Sequence, residues 1–186
     1  MGAHVGYHSL ALASQGARVV SFEPGASNIS RFREHLDRNR ELASKIVLET
    51  VALSNENGEM NFVESSDMQG ASSGSHLATA TPPLDSAVYV DFESKLVKSA
   101  TVDSLLQGRL PPPDVIKIDV EGAEHLVLEG ARTTLLNKKP LLLIEVHHIC
   151  VMLGLAQLLQ QANYRVTLLD EHNSTPSRCF ISAEAT

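Results

Sequence analysis

A chain of 186 residues, 43% apolar, is long enough for one sizeable core and reads as a single domain over 1–186. Its 15 Lys and Arg against 22 Asp and Glu give a formal net charge of -7, which excludes a basic surface for nucleic acid or an anionic membrane and favours a small-molecule partner. The only cysteines, Cys150 and Cys179, form no C-x-x-C pair, Met1 to His8 carries no Lys or Arg, and no apolar run is long enough for a bilayer; a reduced, cytoplasmic setting without leader or span is expected.

The chain opens on Gly2-Ala3-His4-Val5-Gly6, a glycine turn feeding a predicted helix over 7–15 that stops at Gly16. Arg18 to Phe22 is a short β-rich run ended by Glu23-Pro24-Gly25, a strand closing at a carboxylate and a turn. From Ser27 to Glu41, Ile29, Phe32 and Leu36 recur at spacings of three and four, which predicts an amphipathic helix covering a sheet. Ile46 to Leu53 reads as a strand, and the turn Asn55-Glu56-Asn57-Gly58 points to a hairpin partner over Glu59 to Val63.

Residues 65–88, rich in Ser, Thr, Ala, Gly and Pro, read as a loop that, on length, is either a cover over a site or a disordered stretch. Val90 to Val97 adds a strand and Thr101 to Leu106 a helical turn. A strand over Val115 to Val120, a helix over Ala123 to Leu136 and a strand over Leu141 to Val146 predict a right-handed crossover. A helix over 151–162 and strands near 165–169 and 178–182 complete an α/β domain. Alternation of strand and helix predicts a mostly parallel sheet with helices on both faces.

Ligands of open parallel sheets bind beyond the C-terminal strand ends. There lie the glycine turn, Glu23, Asp119-Val120-Glu121-Gly122 and Glu145-Val146-His147-His148. Gly2 and Gly6 would let the backbone approach a ligand, and Glu23 falls at about the twenty-residue interval where a carboxylate takes ribose hydroxyls. The G-x-x-x-G spacing lacks the third glycine of a pyrophosphate loop, and none of Tyr7, Tyr89 and Tyr164 has a Lys four residues on; a nicotinamide dehydrogenase is disfavoured and a phosphate-free nucleoside cofactor fits. Lys117, on an otherwise apolar strand, is expected to pair with Glu145 on the next.

Val115-Ile116-Lys117-Ile118-Asp119-Val120-Glu121-Gly122-Ala123-Glu124, then Leu128-Glu129-Gly130-Ala131, resembles the signature of the FkbM-type methyltransferases. Gly2-Ala3-His4-Val5-Gly6-Tyr7, Phe22-Glu23-Pro24, Ala52-Leu53-Ser54, Thr101-Val102-Asp103-Ser104 and Glu145-Val146-His147 stand in that family's order. The resemblance implies a Rossmann-like class I methyltransferase fold, S-adenosylmethionine as cofactor, and O-methylation of a hydroxyl on a sugar or other secondary metabolite. It sets Gly2, Ala3 and Gly6 against the cofactor, Glu23 at its ribose, Ala52, Leu53 and Ser54 beside the adenine, and Asp119 nearest the donor.

Methyl transfer from a sulfonium is an in-line displacement that mainly needs alignment. Asp119, Glu121 and His147 are the catalytic candidates for deprotonating the acceptor, with His147 and Asp119 level. Glu124 reads instead as a carboxylate stabilised at a helix N-terminus. Asp119, Glu145 and the paired histidines form an alternative cation set, but no recognised ligand spacing supports it and no metal is expected. Class I methyltransferases carry a central strand just before the glycine turn, where only Met1 stands here; the first central strand is expected to be truncated, leaving a gap between the strands ending at Glu23 and Asp119. The alternative reading is a catalytically silent domain that keeps the fold and binds the cofactor or a partner.

Overall fold

The computed structural model describes residues 1–65, 75–78, 92–108, 110–169 and 178–186. After the glycine turn come α1 (Tyr7–Ser14) and β1 (Val19–Phe22), which runs parallel to β2 (Ile46–Glu49) across α2 (Ala26–Arg38) and α3 (Arg40–Ala43). The spacing in α2 does what it predicted for Phe32, which is buried against Ala13 of α1 and Ile46 of β2.

The crossover in the second half runs from β7 (Val115–Ile118) through α5 (Glu124–Glu129) and α6 (Arg132–Asn137) to β8 (Leu141–Val146), parallel to β7. The helix expected over 123–136 is thus two helices. They break at Gly130, which lies so close to the Ser54 carbonyl that a Cβ would meet its oxygen at 2.1 Å. Before β7, α4 (Val102–Leu106) starts at Thr101, whose Oγ1 accepts the Ser104 N–H at 3.1 Å. After β8 come α7 (Ile149–Gln161), β9 (Tyr164–Leu168) and β10 (Cys179–Ala185), and β10 inserts antiparallel between β8 and β9. The main core lies here: Ile116, Ile118, Leu142, Ile144 and Ile181 from the strands meet Val127, Leu128, Leu155 and Leu159 from the helices.

A further sheet has the order β3 (Ala52–Leu53), β6 (Phe92–Ala100), β4 (Gly58–Ser65), β5 (His76–Leu77). The expected hairpin between 46–53 and 59–63 does not form. β4 pairs with β6 instead, from Gly58↔Ser99 to Ser65↔Phe92, because β6 offers a far longer antiparallel ladder than the two residues of β3. That register turns Met60 and Phe62 inward onto Ala52, Leu77 and Ala123. The loop read over 65–88 lies outside the described residues apart from Ser65, which ends β4, and 75–78, which contain β5.

The pairs β1·β2, β3·β6 and β7·β8 are parallel, whereas β4·β5, β4·β6, β8·β10 and β9·β10 are antiparallel. The fold is mixed α/β, and the expectation of a mostly parallel sheet is corrected. Helical spacing marks crossovers, but it does not reveal that a late strand such as β10 returns between two earlier ones. Among the described residues the β1–β2 pair shares no ladder with the sheet β7-β8-β10-β9. Residues 1–3 run between them: the Met1 amino nitrogen donates to the Lys117 carbonyl at 2.8 Å and the Ala3 N–H to the Phe22 carbonyl at 3.0 Å.

Candidate active site

The glycine turn, the end of β1 and the end of β7 converge on a cavity of about 270 Å³. Gly2 has φ 68°, and a Cβ there would meet the Asp119 carbonyl oxygen at 1.6 Å; only glycine lets the turn lie on the end of β7. Gly6 spends its freedom elsewhere, since a Cβ would meet the Phe32 ring at 2.3 Å. Of the residues expected at a cofactor, Gly2, Ala3, Glu23, Ala52, Leu53 and Asp119 line the cavity. Gly6 and Ser54 are not among the lining residues. Gly6 lies against α2, and Ser54 is buried behind the wall with its carbonyl on Gly130.

Glu23 is 4% exposed. It accepts the His4 N–H at 2.7 Å, the Gly25 N–H at 3.0 Å and the Asn28 side-chain amide at 3.3 Å. Burial pushes its carboxyl above the usual carboxylate range, although these three donors pull the other way. His4 reaches its position at φ 51°, as Glu121 does at the other side of the cavity; left-handed backbone at non-glycine residues costs free energy that the surroundings must offset. Asn28 escaped the sequence reading because helical periodicity registers apolar positions only. Phe62 and Leu77 also line the cavity and escaped it because the antiparallel pairing that delivers them was not legible.

At the ends of β7 and β8 lies a cluster of charged groups. The Lys117 ammonium bonds Asp119 Oδ2 at 2.5 Å, two residues along on the same face of the chain. Glu145, its expected partner, instead lies 3.2 Å from the Arg178 guanidinium. His147 is 2% exposed and Glu124 fully buried, and His147 Nδ1 meets Glu124 Oε1 at 2.8 Å. Glu124 does serve the start of α5, accepting the Gly122 N–H at 3.0 Å; its grip on His147 was missed, and a carboxylate opening the crossover helix opposite a His at the next strand end was the available signal. His148 turns away, its Nδ1 accepting the Cys150 N–H at 3.1 Å.

The three catalytic candidates come together. His147 Nε2 lies 3.4 Å from Glu145 Oε1, 3.5 Å from Glu121 Oε2 and 3.7 Å from Asp119 Oδ1. Burial works against the imidazolium, but Glu124, Glu145 and Glu121 outweigh it and push its pKa up to about 10. Burial, aided by Asp119 and Glu145, raises the Glu121 carboxyl against the pull of His147 and Arg178. Asp119 and Glu121 line the cavity and His147 lies behind them. The site therefore offers a carboxylate of raised proton affinity facing the cavity and, behind it, a buried histidine anchored by Glu124.

No helix among the described residues is long and apolar enough to cross a membrane. Residues 1–166 match the profile of the methyltransferase FkbM domain. Over 148 residues the chain is 29% identical to the hexuronic acid methyltransferase AglP of Haloferax volcanii, a match covering 79% of this chain and 54% of the relative. Among solved structures it resembles a methyltransferase FkbM from Methylobacillus flagellatus KT, with TM-score 0.67 and 22% identity over 97% of this chain and 41% of that one. A precorrin-6y C5,15-methyltransferase from Geobacter metallireducens GS-15 shares the fold at TM-score 0.57 and 11% identity, over 100% and 78% of the two chains. The chain thus spans about half the length of the curated relative it matches.

Proposed function

Because the chain belongs to the FkbM methyltransferase family, we propose that it transfers a methyl group from S-adenosylmethionine to a hydroxyl of a sugar-type small molecule, a uronic acid or its glycoside. The observation that carries this reading is one cavity lined by Gly2, Ala3, Glu23, Ala52 and Leu53 at one end and by Asp119 and Glu121 at the other. The lining fits the donor. Glu23 offers a carboxylate to vicinal ribose hydroxyls, Val51, Ala52, Leu53 and Phe62 offer an apolar wall to a purine, and the one lysine in the cavity, Lys117, is already bonded to Asp119. We read β1–β2 and β7-β8-β10-β9 as the two flanks of a Rossmann-like class I sheet.

S-adenosylmethionine would supply a methyl carbon activated by its sulfonium. The chain's own part is alignment and proton removal. Glu121, whose proton affinity burial raises, would take the proton that the acceptor hydroxyl gives up on methylation. Asp119 orients the acceptor beside it, and His147, held by Glu124, lies behind both carboxylates as a neighbouring charge. Support for a sugar acceptor comes from the hexuronic acid relative.

The test is calorimetric titration of the folded chain with S-adenosylmethionine and S-adenosylhomocysteine, followed by turnover on glucuronic acid and its glycosides. Saturable binding lost in Glu23→Ala, with turnover lost but binding kept in Glu121→Gln, is the expected result. Binding without turnover on any hydroxyl acceptor, or no binding by the folded chain, would defeat the enzyme reading and favour the silent domain.

A further inference from the structure

Behind the cavity wall, His147 is held as metal-binding histidines usually are. Its Nδ1 is fixed at 2.8 Å by Glu124, a fully buried carboxylate that in turn is tied to the Gly122 N–H at 3.0 Å. Such a carboxylate clamp on one ring nitrogen sets the tautomer and aims the other nitrogen at an ion. The other nitrogen, Nε2, is buried and has no hydrogen-bond partner among the described residues, although the side chain is only 1% exposed. It faces Glu145 Oε1 at 3.4 Å, Glu121 Oε2 at 3.5 Å and Asp119 Oδ1 at 3.7 Å. A charge-assisted hydrogen bond from Nε2–H would close on one of these oxygens to about 2.8 Å. The nitrogen instead stands off from all three at nearly equal distances, as donors do around an ion, where bonds of about 2.0–2.2 Å keep neighbouring donor atoms roughly 3.0–3.5 Å apart.

Charge points the same way. Among the described residues, the permanently cationic side chains paired with this cluster of Asp119, Glu121, Glu124 and Glu145 are Lys117, on Asp119, and Arg178, on Glu145. As a ligand His147 is neutral, the ion taking the place of its Nε2 proton, and the cluster then carries two uncompensated negative charges, which one divalent ion balances.

We propose that Asp119, Glu145 and His147, whose donor atoms all lie within 4.8 Å of one another, form a divalent-cation site, with Glu121 at its margin and Glu124 as the positioning residue for His147. One imidazole and two carboxylates suit Mn²⁺ or Zn²⁺ better than Ca²⁺, which takes oxygen ligands alone. Because Asp119 also lines the cavity, the ion sits at the cavity wall. The inference concerns the ion and stands whether or not the chain methylates a sugar.

The experiment titrates the chain with Mn²⁺ in the absence of cofactor and acceptor, following the free-ion signal by electron paramagnetic resonance. One ion bound per chain and displaced by Zn²⁺ is expected, with affinity lowered at least tenfold in Glu145→Gln and roughly 10–100-fold in Glu124→Gln. The exposed Glu59→Gln variant should bind as the parent chain does. A measurement on the unaltered protein guards against variants that fail to fold: the ¹⁵N signal of the His147 ring should broaden on substoichiometric Mn²⁺ before those of the other histidines. No saturable binding at millimolar Mn²⁺ and Zn²⁺, or binding that leaves the His147 ring unbroadened, overturns the proposal.

Discussion

Gly2 and Glu23 show how closely single side chains constrain this site. With a left-handed φ and the Asp119 carbonyl where a Cβ would stand, Gly2→Ala must displace the turn from the end of β7. The expected outcome is a loss of several kcal/mol in urea unfolding, or a failure to fold, by overpacking and strain together. Glu23 makes a pH prediction. Its folded-state carboxyl titrates above the ordinary value of 4.5, so its protonation favours the fold below that value and the benefit is lost as pH rises through the raised one. A ligand that donates ribose hydroxyls needs the ionised form. Affinity for S-adenosylhomocysteine should therefore fall up to tenfold per unit as pH drops below the raised value, sooner than an ordinary carboxyl would allow. Calorimetry from pH 8 to pH 5 checks this, and a flat profile would remove Glu23 from the ribose site.

Among the elements, α6 depends on a carboxylate from outside it. Asp103 in α4 accepts the Thr133 and Thr134 N–H groups at 2.8 Å each and the Thr134 hydroxyl at 2.6 Å, satisfying the start of a helix whose preceding residue, Ala131, supplies no side-chain cap. Asp103→Ala should cost about 1–2 kcal/mol, seen as a lower urea midpoint at unchanged slope, with affinity for S-adenosylhomocysteine unchanged because the residue does not line the cavity. The elements also mark what a sequence can tell. The crossover β7 to β8 and the parallel β1–β2 pair were legible because each is local, a strand, helix and strand with its own periodicity. The β4–β6 ladder and the insertion of β10 were not, because pairing partners are chosen by long-range packing that leaves no spacing to read. The candidate site divides likewise. Glu23, Asp119, Glu121 and His147 end predicted strands and could be found; Asn28, Phe62 and the Glu124–His147 contact come from helix faces and pairings that the sequence does not announce.

Taken whole, the molecule has an uneven distribution of stability. The sheet β7-β8-β10-β9 and its helices hold most of the main core, whereas the two-stranded β1–β2 ladder reaches that core only through Phe22 and Val20 of β1 and otherwise rests on the small cluster of Ala13, Phe32 and Ile46 with its partly buried neighbours. Regions with fewer buried apolar contacts open at lower free energy. Amide hydrogens of 19–22 and 46–49 should exchange well ahead of those of 141–146 and 179–183, and equal protection across both sheets would show a single cooperative unit.

Among the described residues, the sheets β1–β2 and β7-β8-β10-β9 share no ladder and are joined by the hydrogen bonds of residues 1–3, and the cavity straddles that seam, with Glu23 on one bank and Asp119 on the other. A small molecule gripped from both banks acts as a rivet. At a hundred times its dissociation constant such a ligand adds about 2.7 kcal/mol to the stability of the folded chain, so resistance to proteolysis becomes a gauge of how much of it surrounds the protein.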